Sequence, residues 1–355
     1  MGTKNNLYEH KCELCMRAVA DKTNSHIIPS FIVCKTTSSD GSGKRNHELV
    51  YTIGSNVQVY TGNEVPQEAF KRNFDDLSEE RIEEEFKKNT LSKDYVFCSS
   101  CEKALADYLE SPYSTGKNLN AEEAYFFWMS IIWRVNHTEI LSSKMPKFIL
   151  SEVRKSLYAF LEAKKTGRST DNIQQKYPFS YRLLTCKGYS IDGAGTFYAE
   201  YDKSNRLFSM SLGDSVLCCS FYDGSLPNDY DFLGLGSEFN QAPINDGFKP
   251  EEERVVSKDI LDSAYETLMI KAKEYYLGNE VKQIYGLWAA LIKQHMPLPS
   301  LYPSNMFIQK CLEIIHNKEK KLGERYTIRN HAISFAEALK ELYGIVVRGD
   351  LDEKH

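Results

Sequence analysis

The sequence lacks any apolar run of the roughly 18–20 residues that a membrane-spanning helix needs. Its first residues also lack the apolar core of a secretory signal, and Asn6 stands where a myristoylation motif requires Ser or Thr. A P-loop, a glycine-rich dinucleotide fingerprint and a Gly-x-Ser-x-Gly elbow are absent as well. We therefore expect a cytoplasmic protein that makes no membrane contact, and its chemistry must be sought in other motifs.

Neither sign of charge dominates the composition, since 44 Lys and Arg residues stand against 49 Asp and Glu residues. The formal net charge of -5 excludes a uniformly basic, histone-like binder, although a local basic face would be enough for phosphate contacts. The 355 residues suffice for two domains of ordinary size, and an apolar fraction of 42% suffices for a sizeable core.

The cysteines carry the strongest pattern, because four of the nine form two Cys-x-x-Cys pairs, Cys12 with Cys15 and Cys98 with Cys101. Two thiolates at this spacing can face one cation, and four of them complete the tetrahedral site of a structural Zn²⁺. The pattern predicts one zinc ion with a long insertion between its half-sites. Two unrelated pairs are the alternative; a redox pair fits less well, since neither opens a thioredoxin-like βαβ unit. In a reducing compartment we expect no disulfides, and the other cysteines should be buried small hydrophobes: Cys34, Cys186, Cys218, Cys219 and Cys311.

Inside the insertion stands the segment Ser25-His26-Ile27-Ile28-Pro29. The order Cys-x-x-Cys, His-Ile-Ile-Pro, then Cys-x-x-Cys on a strand-to-helix step resembles the zinc-stabilised branch of the HNH endonucleases. More narrowly, it is similar to uncharacterised bacterial HNH-like proteins that carry a helical region after the zinc module. The resemblance covers about residues 9–110, and a Trp133-Arg134 pair extends it loosely to about 140.

The resemblance implies a nuclease with a ββα unit in which His26 is the general base that activates water. The residue after the second cysteine pair binds the catalytic Mg²⁺ or Mn²⁺ in that family, and Glu102 takes this position. The residue before the base is usually a charged ligand, whereas this chain has Ser25, a poor ligand for such cations. A second carboxylate for the cation has only loose candidates in Asp94, Asp107 or Glu110. The asparagine that orients the base in that family likewise has only loose candidates, in Asn89 or Asp94.

A structural role for His26 stays open beside the catalytic one. Its imidazole could cap the zinc knuckle by bonding a backbone carbonyl, or it could replace one thiolate in a Cys₃His site. Basic side chains in and beside the insertion could contact phosphates or simply be solvated; they are Lys22, Lys35, Lys44, Arg45, His47, Lys71, Arg72, Lys87, Lys88 and Lys93.

The periodicity predicts an α+β fold: a treble-clef, HNH-like zinc module over residues 1–115, then a mostly helical region over 116–355 with an antiparallel β-meander at about 177–223. Pro29 favours an extended or turning path after His26. The local patterns further predict a helix over 75–89, a short strand at 95–97, helices at 102–109, 121–135 and 147–164, a loop at 225–249, and helices from 251 to about 343 with a break at the prolines near 300. Trp128, Trp133 and Arg134 are expected in the core, with Arg134 paired to a buried carboxylate.

These patterns support two functional hypotheses. The first is a metal-dependent endonuclease acting on DNA phosphodiesters, and the resemblance implies bacterial defence against foreign DNA as its setting. The second is a non-catalytic zinc-binding protein that binds nucleic acid, a nucleotide signal or a partner protein. Either leaves room for a homo-oligomer, with the larger region serving recognition or regulation.

Overall fold

The computed structural model describes residues 10–37, 92–116, 119–137, 144–171, 173, 179–189, 197–221, 226–227, 229–322 and 328–347. The helix predicted over 75–89 and most of the insertion between the cysteine pairs lie outside these ranges. The fold is α+β, as predicted. The chain divides into two compact units, the first from residues 1–65 and 87–268 and the second from 66–86 and 269–355. The division predicted at residue 115 stays a prediction.

A small hairpin lies at the centre of the cysteine-bearing region. Strand β1 (Ser25–His26) pairs antiparallel with β2 (Ser92–Lys93), so that His26 lies opposite Ser92. The strand predicted at 95–97 was therefore misplaced. Tyr95 has a φ of 57°, a left-handed conformation that strands do not adopt, so the chain turns where the apolar pattern suggested extension.

Three helices border this hairpin. Helix α1 (Ser30–Thr37) follows β1, whereas we expected Pro29 to prevent a regular helix there. That expectation was wrong because Pro29 stands before the first turn, where its missing N–H costs nothing, and its carbonyl accepts hydrogen bonds from the amides of Ile32 and Val33 at 2.9 and 3.2 Å. Helix α2 (Ser99–Leu105) continues through a π-helical turn (Ala106–Glu110) into α3 (Ser111–Thr115).

Helices α4 (Ala121–Val135) and α5 (Lys147–Thr166) pack against this region. Helix α4 has the predicted bounds. It begins with a capping box, in which the Asn120 side chain accepts from the Glu123 amide and the Glu123 carboxylate accepts from the Asn120 amide. Every residue from 124 to 135 is buried, which confirms α4 as a core helix. Helix α5 extends two residues beyond its predicted end, up to Gly167 with a φ of 65°.

The predicted meander forms most of a five-stranded sheet. Strands β4 (Phe197–Asp202), β5 (Leu207–Leu212) and β6 (Ser215–Ser220) pair antiparallel in sequence, and β3 (Ser180–Thr185) pairs antiparallel with β6. Strand β7 (Arg254–Val255) joins β3 in parallel, which makes the sheet mixed and places a strand where we predicted helix. The strand order is β4-β5-β6-β3-β7. The predicted loop over 225–249 contains one short helix, α6 (Gly236–Gln241).

Two hydrophobic cores fill the first unit. One contains the four paired cysteines, the aromatic residues of α4 and α5 and one set of sheet residues, including Phe208 and Met210. The other contains Leu184, Val216 and Cys218 from the sheet, together with residues of α6 and the start of helix α7 (Lys258–Lys293). The zinc-type cysteines therefore share a core with the helices that follow them.

The second unit is helical in the part that the structure describes. Helix α7 runs into it and ends before the predicted break, and α8 (Asn305–Leu322) and α9 (Ile328–Tyr343) follow. Its core centres on Trp288, Phe307 and Phe335. The predicted helical end near residue 343 is confirmed. Over the described residues, no helix combines the length and apolarity needed to cross a bilayer.

Candidate metal centre and the His26 hairpin

The two Cys-x-x-Cys pairs converge, as the spacing predicted. The sulfur atoms of Cys12, Cys15, Cys98 and Cys101 all lie within 4.8 Å of one another, and their residues are between 0% and 9% exposed. Tetrahedral bonds of about 2.3 Å from sulfur to zinc require sulfur atoms roughly 3.8 Å apart, a spacing that this cluster admits. Four buried thiols in such a group could hold a structural ion such as Zn²⁺.

The first pair lies on a knuckle that its own backbone closes. The Cys12 amide donates to the Ala18 carbonyl at 2.8 Å, and the Met16 amide donates back to the Cys12 carbonyl at 2.8 Å. Met16 has a φ of 58°, so the chain reverses just after Cys15. The amides of Leu14 and Cys15 point at the Cys12 sulfur, which favours its thiolate form.

The second pair lies at the start of α2. Cys98 is the residue before the first turn and Cys101 lies within it, so both sulfurs stand near the positive end of the helix dipole. The Asp21 carboxylate accepts from the Ser99 amide at 2.7 Å and from the Ser99 hydroxyl at 2.8 Å. These bonds lower the pKa of Asp21 and join the connection after the knuckle to the helix that carries the second pair.

The thiols also interact with one another. A hydrogen bond with Cys101 is the largest influence on Cys12 and lowers its pKa to about 4, against the opposing effect of burial. The same bond, followed by burial, raises the pKa of Cys101. Burial raises the pKa of Cys98. The cluster thus favours at least one thiolate at neutral pH, and the thiolate is the form that binds metal.

Strand β1 turns Ser25 inward and leaves His26 half-buried. Successive residues of a strand face opposite sides, and Ser25 is 0% exposed. The turn before β1 is fixed by Asn24, whose amide donates to Asp94 at 2.6 Å and whose side-chain oxygen accepts from the Ser92 hydroxyl. Of the loose candidates for a family ligand, Asp94 is therefore engaged in shaping the hairpin.

Arg134 of α4 donates a hydrogen bond to the backbone of His26. Its Nη1 donates to the His26 carbonyl oxygen at 3.1 Å and to Glu110 Oε1 at 2.6 Å, while its Nη2 donates to the Ser130 hydroxyl at 3.2 Å. Arg134 is 1% exposed, and the Glu110 side chain is 23% exposed. The predicted ion pair of the buried Arg134 is confirmed, but its carboxylate is half-buried rather than buried, and the pair engages Glu110, another of the loose ligand candidates.

Glu102 is half-buried in the first turn of α2, next to Cys101. Its Oε2 lies 4.0 Å from Lys22 Nζ, and both side chains are partly exposed. Lys93 is another of the basic residues that could contact phosphates. Its Nζ donates to the His137 carbonyl at 3.0 Å. Asp107 is exposed, and Asn89 lies outside the described ranges.

In the part of the chain that the structure describes, the four cysteines are the only group of three or more His, Cys, Asp and Glu side chains close enough to share a cation. His26 does not join the zinc-type cluster, so the Cys₃His arrangement is not what these residues form. The hydrogen bonds from Ser99 to the Asp21 carboxylate were not predicted, because they join residues far apart in the sequence and no local pattern marks them. Comparisons of the chain with protein-family models, curated proteins and solved structures found no match.

Proposed function

We propose that the chain is a metal-dependent nuclease in which a zinc-stabilised hairpin presents His26 as the general base. The observation that carries the proposal is the position of His26. It lies on the hairpin between two cysteine pairs that cluster on one site, and a buried guanidinium bonds its carbonyl. A general base must be held in place to be effective, and both features restrict the movement of this backbone.

The arrangement that supports this proposal consists of a knuckle, a hairpin and a helix. Cys12 and Cys15 lie on the knuckle, β1 and β2 form the hairpin, and Cys98 and Cys101 begin the helix. Glu102 follows directly on the same helix. In this proposal the His26 imidazole takes the proton from the attacking water, and Glu102 is the carboxylate for a divalent cation.

The described residues do not assemble a second group of three ligands, so these residues alone form no complete protein cage for Mg²⁺ beside His26. Mg²⁺ in phosphoryl-transfer sites is usually held by one or two carboxylates together with substrate phosphates. Glu102 would fit that role, with the phosphodiester supplying further oxygens. A local phosphate contact by Lys22, beside Glu102, is consistent with the same substrate class.

Nicking of supercoiled plasmid in the presence of Mg²⁺ or Mn²⁺ tests the proposal. Loss of a general base typically costs 10²–10⁴-fold in rate, so His26→Ala should reduce nicking by about that factor. Glu102→Gln should also reduce it and should raise the cation concentration needed. The matched control is His316→Ala, which removes an exposed imidazole from α8 in the second unit and should leave nicking unchanged.

A second candidate is a zinc-binding protein that binds nucleic acid, a nucleotide signal or a partner protein without cutting. Ser25 favours it, because a buried hydroxyl stands where a charged ligand would be needed, and the described carboxylates Asp94 and Glu110 have other partners. If the wild type and His26→Ala both fail to cut DNA or RNA while retaining zinc and fold, the nuclease proposal is wrong. Retarded migration of labelled DNA or RNA without cleavage would then support the binder.

A further inference from the structure

Helix α5 and the residues beside it are strongly basic. Residues 144–168 contain seven Lys and Arg residues and two Glu residues, a net charge of +5 in a chain whose formal net charge is -5. The basic residues are Lys144, Lys147, Arg154, Lys155, Lys164, Lys165 and Arg168. Such an asymmetry within one chain indicates a local surface for an anionic partner.

Most of these charges lie on the side of α5 that points away from the core, opposite the buried Ile149 and Val153. Lys147, Arg154 and Lys165 are spaced by 7 and 11 residues, which are whole helical turns to within about 20°, so the three side chains leave the helix in nearly the same direction. At 1.5 Å per residue this row extends over about 27 Å. The outward face of α5 comprises Lys147, Phe148, Arg154, Lys155, Tyr158 and Lys165.

The positive charges of the outward face are incompletely neutralised. Arg154 Nη1 donates to a backbone carbonyl of the knuckle at 2.9 Å, and this partner carries no charge. Lys165 Nζ lies 3.9 Å from Glu162 Oε1. Lys155 Nζ lies 2.6 Å from Glu152 Oε1. Both ion pairs are exposed, so they contribute little to stability and can be exchanged for contacts with phosphates.

The first turn of α5 carries a cation where an acid would suit the helix better. Lys147 is its first residue and is exposed, Lys144 precedes it, and the first turn contains no acidic residue. A cation at this end opposes the helix dipole, so these lysines do not serve the stability of the helix. Together with the dipole they attract an anion, which indicates a role in binding.

Arg17 extends the outward face onto the knuckle. It is exposed, and its guanidinium carbon lies 5.8 Å from the centroid of the Tyr158 ring. The guanidinium therefore lies over the ring that stands in the row between Arg154 and Lys165. Proteins that bind single-stranded nucleic acids stack successive bases on free aromatic rings. A ring that already carries a guanidinium suits a double-stranded partner better.

The outward face offers little apolar surface. Phe148, 62% exposed, is the large hydrophobic side chain that α5 exposes most. A helix that lies on a membrane inserts a broad apolar face, whereas the apolar face of α5 is buried in the protein core. Protein partners usually need several apolar or aromatic anchors. A phosphate backbone, in contrast, is bound by Lys and Arg alone.

We propose that the outward face of α5, together with Arg17, binds the phosphate backbone of duplex DNA. The row of about 27 Å corresponds to roughly eight base pairs of 3.4 Å each. Phosphate contacts of this kind give affinity and orientation without reading the sequence. The inference rests on the proposed function, because it names the surface that holds the substrate, and its test measures binding without cleavage.

Fluorescence anisotropy with a labelled duplex of about 20 base pairs tests the inference. The full-length protein, purified with zinc and assayed without Mg²⁺ or Mn²⁺, should bind the duplex with roughly micromolar affinity at low salt. A plot of the logarithm of the binding constant against the logarithm of the salt concentration should have a slope of about -4, which corresponds to four or five phosphate contacts.

Arg17→Gln/Lys147→Gln removes two exposed charges from the surface. The slope should change from about -4 to about -2, and the affinity in about 50 mM salt should fall about tenfold or more. The matched control is Lys203→Gln/Lys249→Gln, which removes the same charge from the β4–β5 turn and the loop before β7 and should bind like the wild type. Arg17→Lys/Lys147→Arg keeps both charges and should also bind like the wild type. Zinc content and circular dichroism should be equal in all variants.

Four results would overturn the inference. They are no binding of duplex by the wild type, equal affinity of Arg17→Gln/Lys147→Gln and the wild type, an equal loss in the control, and tighter binding of a single strand of the same length or of phosphatidylserine vesicles. Duplex binding that depends on Arg17 and Lys147, in a protein that does not nick DNA, would overturn the nuclease proposal alone and support this inference.

Discussion

Replacing Arg134 by methionine would test whether its buried guanidinium stabilises the His26 hairpin. Arg134 is 1% exposed, and its Nη1 bonds both the Glu110 carboxylate, at 2.6 Å, and the His26 carbonyl, at 3.1 Å. Methionine retains much of the apolar length of the side chain but provides no donor. The variant would leave an acidic group and a backbone carbonyl without their shared partner.

The expected cost follows from the burial of the two partners. Removing one member of a fully buried ion pair typically costs about 3–5 kcal/mol. The Glu110 side chain is 23% exposed, so water can replace part of the lost interaction, and we expect a reduced loss of about 2–4 kcal/mol in the free energy of unfolding. Arg134→Lys keeps the charge but loses the planar fork that reaches both acceptors, so its loss should be smaller, about 1–2 kcal/mol.

Urea unfolding followed by tryptophan fluorescence would measure these losses. A Trp288→Phe background removes the tryptophan of the second unit, and the two that remain report on the first. The control is Lys155→Met, which removes the exposed partner of Glu152 on α5 and should cost at most about 0.5 kcal/mol. Equal losses for Arg134→Met and Lys155→Met would refute the role assigned to the buried guanidinium.

Three other predictions concern the cysteine cluster, the knuckle and the half-buried His137. Cys98→Ser removes one thiolate, so we expect metal analysis to fall from one zinc ion per chain towards none and limited proteolysis to reach the knuckle; unchanged zinc content would contradict the site. Met16 has a φ of 58°, so Met16→Val should cost about 1 kcal/mol more than Met16→Gly in a chemical melt, and equal costs would argue against a strained knuckle. Burial lowers the pKa of His137 from 6.5 to about 4, so the unfolded chain binds the proton more readily between these values. Stability should fall as the pH drops from about 6.5 to about 4, by on the order of 3 kcal/mol. His137→Phe should remove this contribution in unfolding curves recorded across that pH range, and an unchanged slope would show that other groups produce it.

The cysteine cluster could be predicted from sequence because the chemistry of the ligands restricts their spacing. Two thiols separated by two residues can reach one cation whatever the rest of the chain does. Helix α4 could also be predicted from the sequence, because the segment from Asn120 to Val135 combines an N-terminal cap with a continuous apolar run. In both cases the determining residues are close together in the sequence.

The remaining features depend on contacts between distant residues. Strand β7 has only two residues and pairs with β3 about seventy positions earlier, so no local period marks it. The Arg134–Glu110–His26 contact joins three separate elements, and only its ion pair was foreseen. At 95–97 the apolar pattern indicated a strand, but the left-handed conformation of Tyr95 directs Val96 and Phe97 into the core from a turn.

Three side chains from helices α4 and α5 form hydrogen bonds with the region that carries the four clustered cysteines. Arg154 of α5 donates to the Leu14 carbonyl on the knuckle at 2.9 Å, and Lys165 of α5 donates to the Ser100 hydroxyl on α2 at 2.8 Å. Arg134 of α4 donates to the hairpin. The knuckle, the hairpin and α2 are therefore each hydrogen-bonded to α4 or α5, and the knuckle and α2 also share a hydrophobic core with these two helices. A metal ion held by the four cysteines would stabilise the same residues as the packing of α4 and α5, so we expect its removal to weaken both helices as well as the knuckle and the hairpin that carries His26.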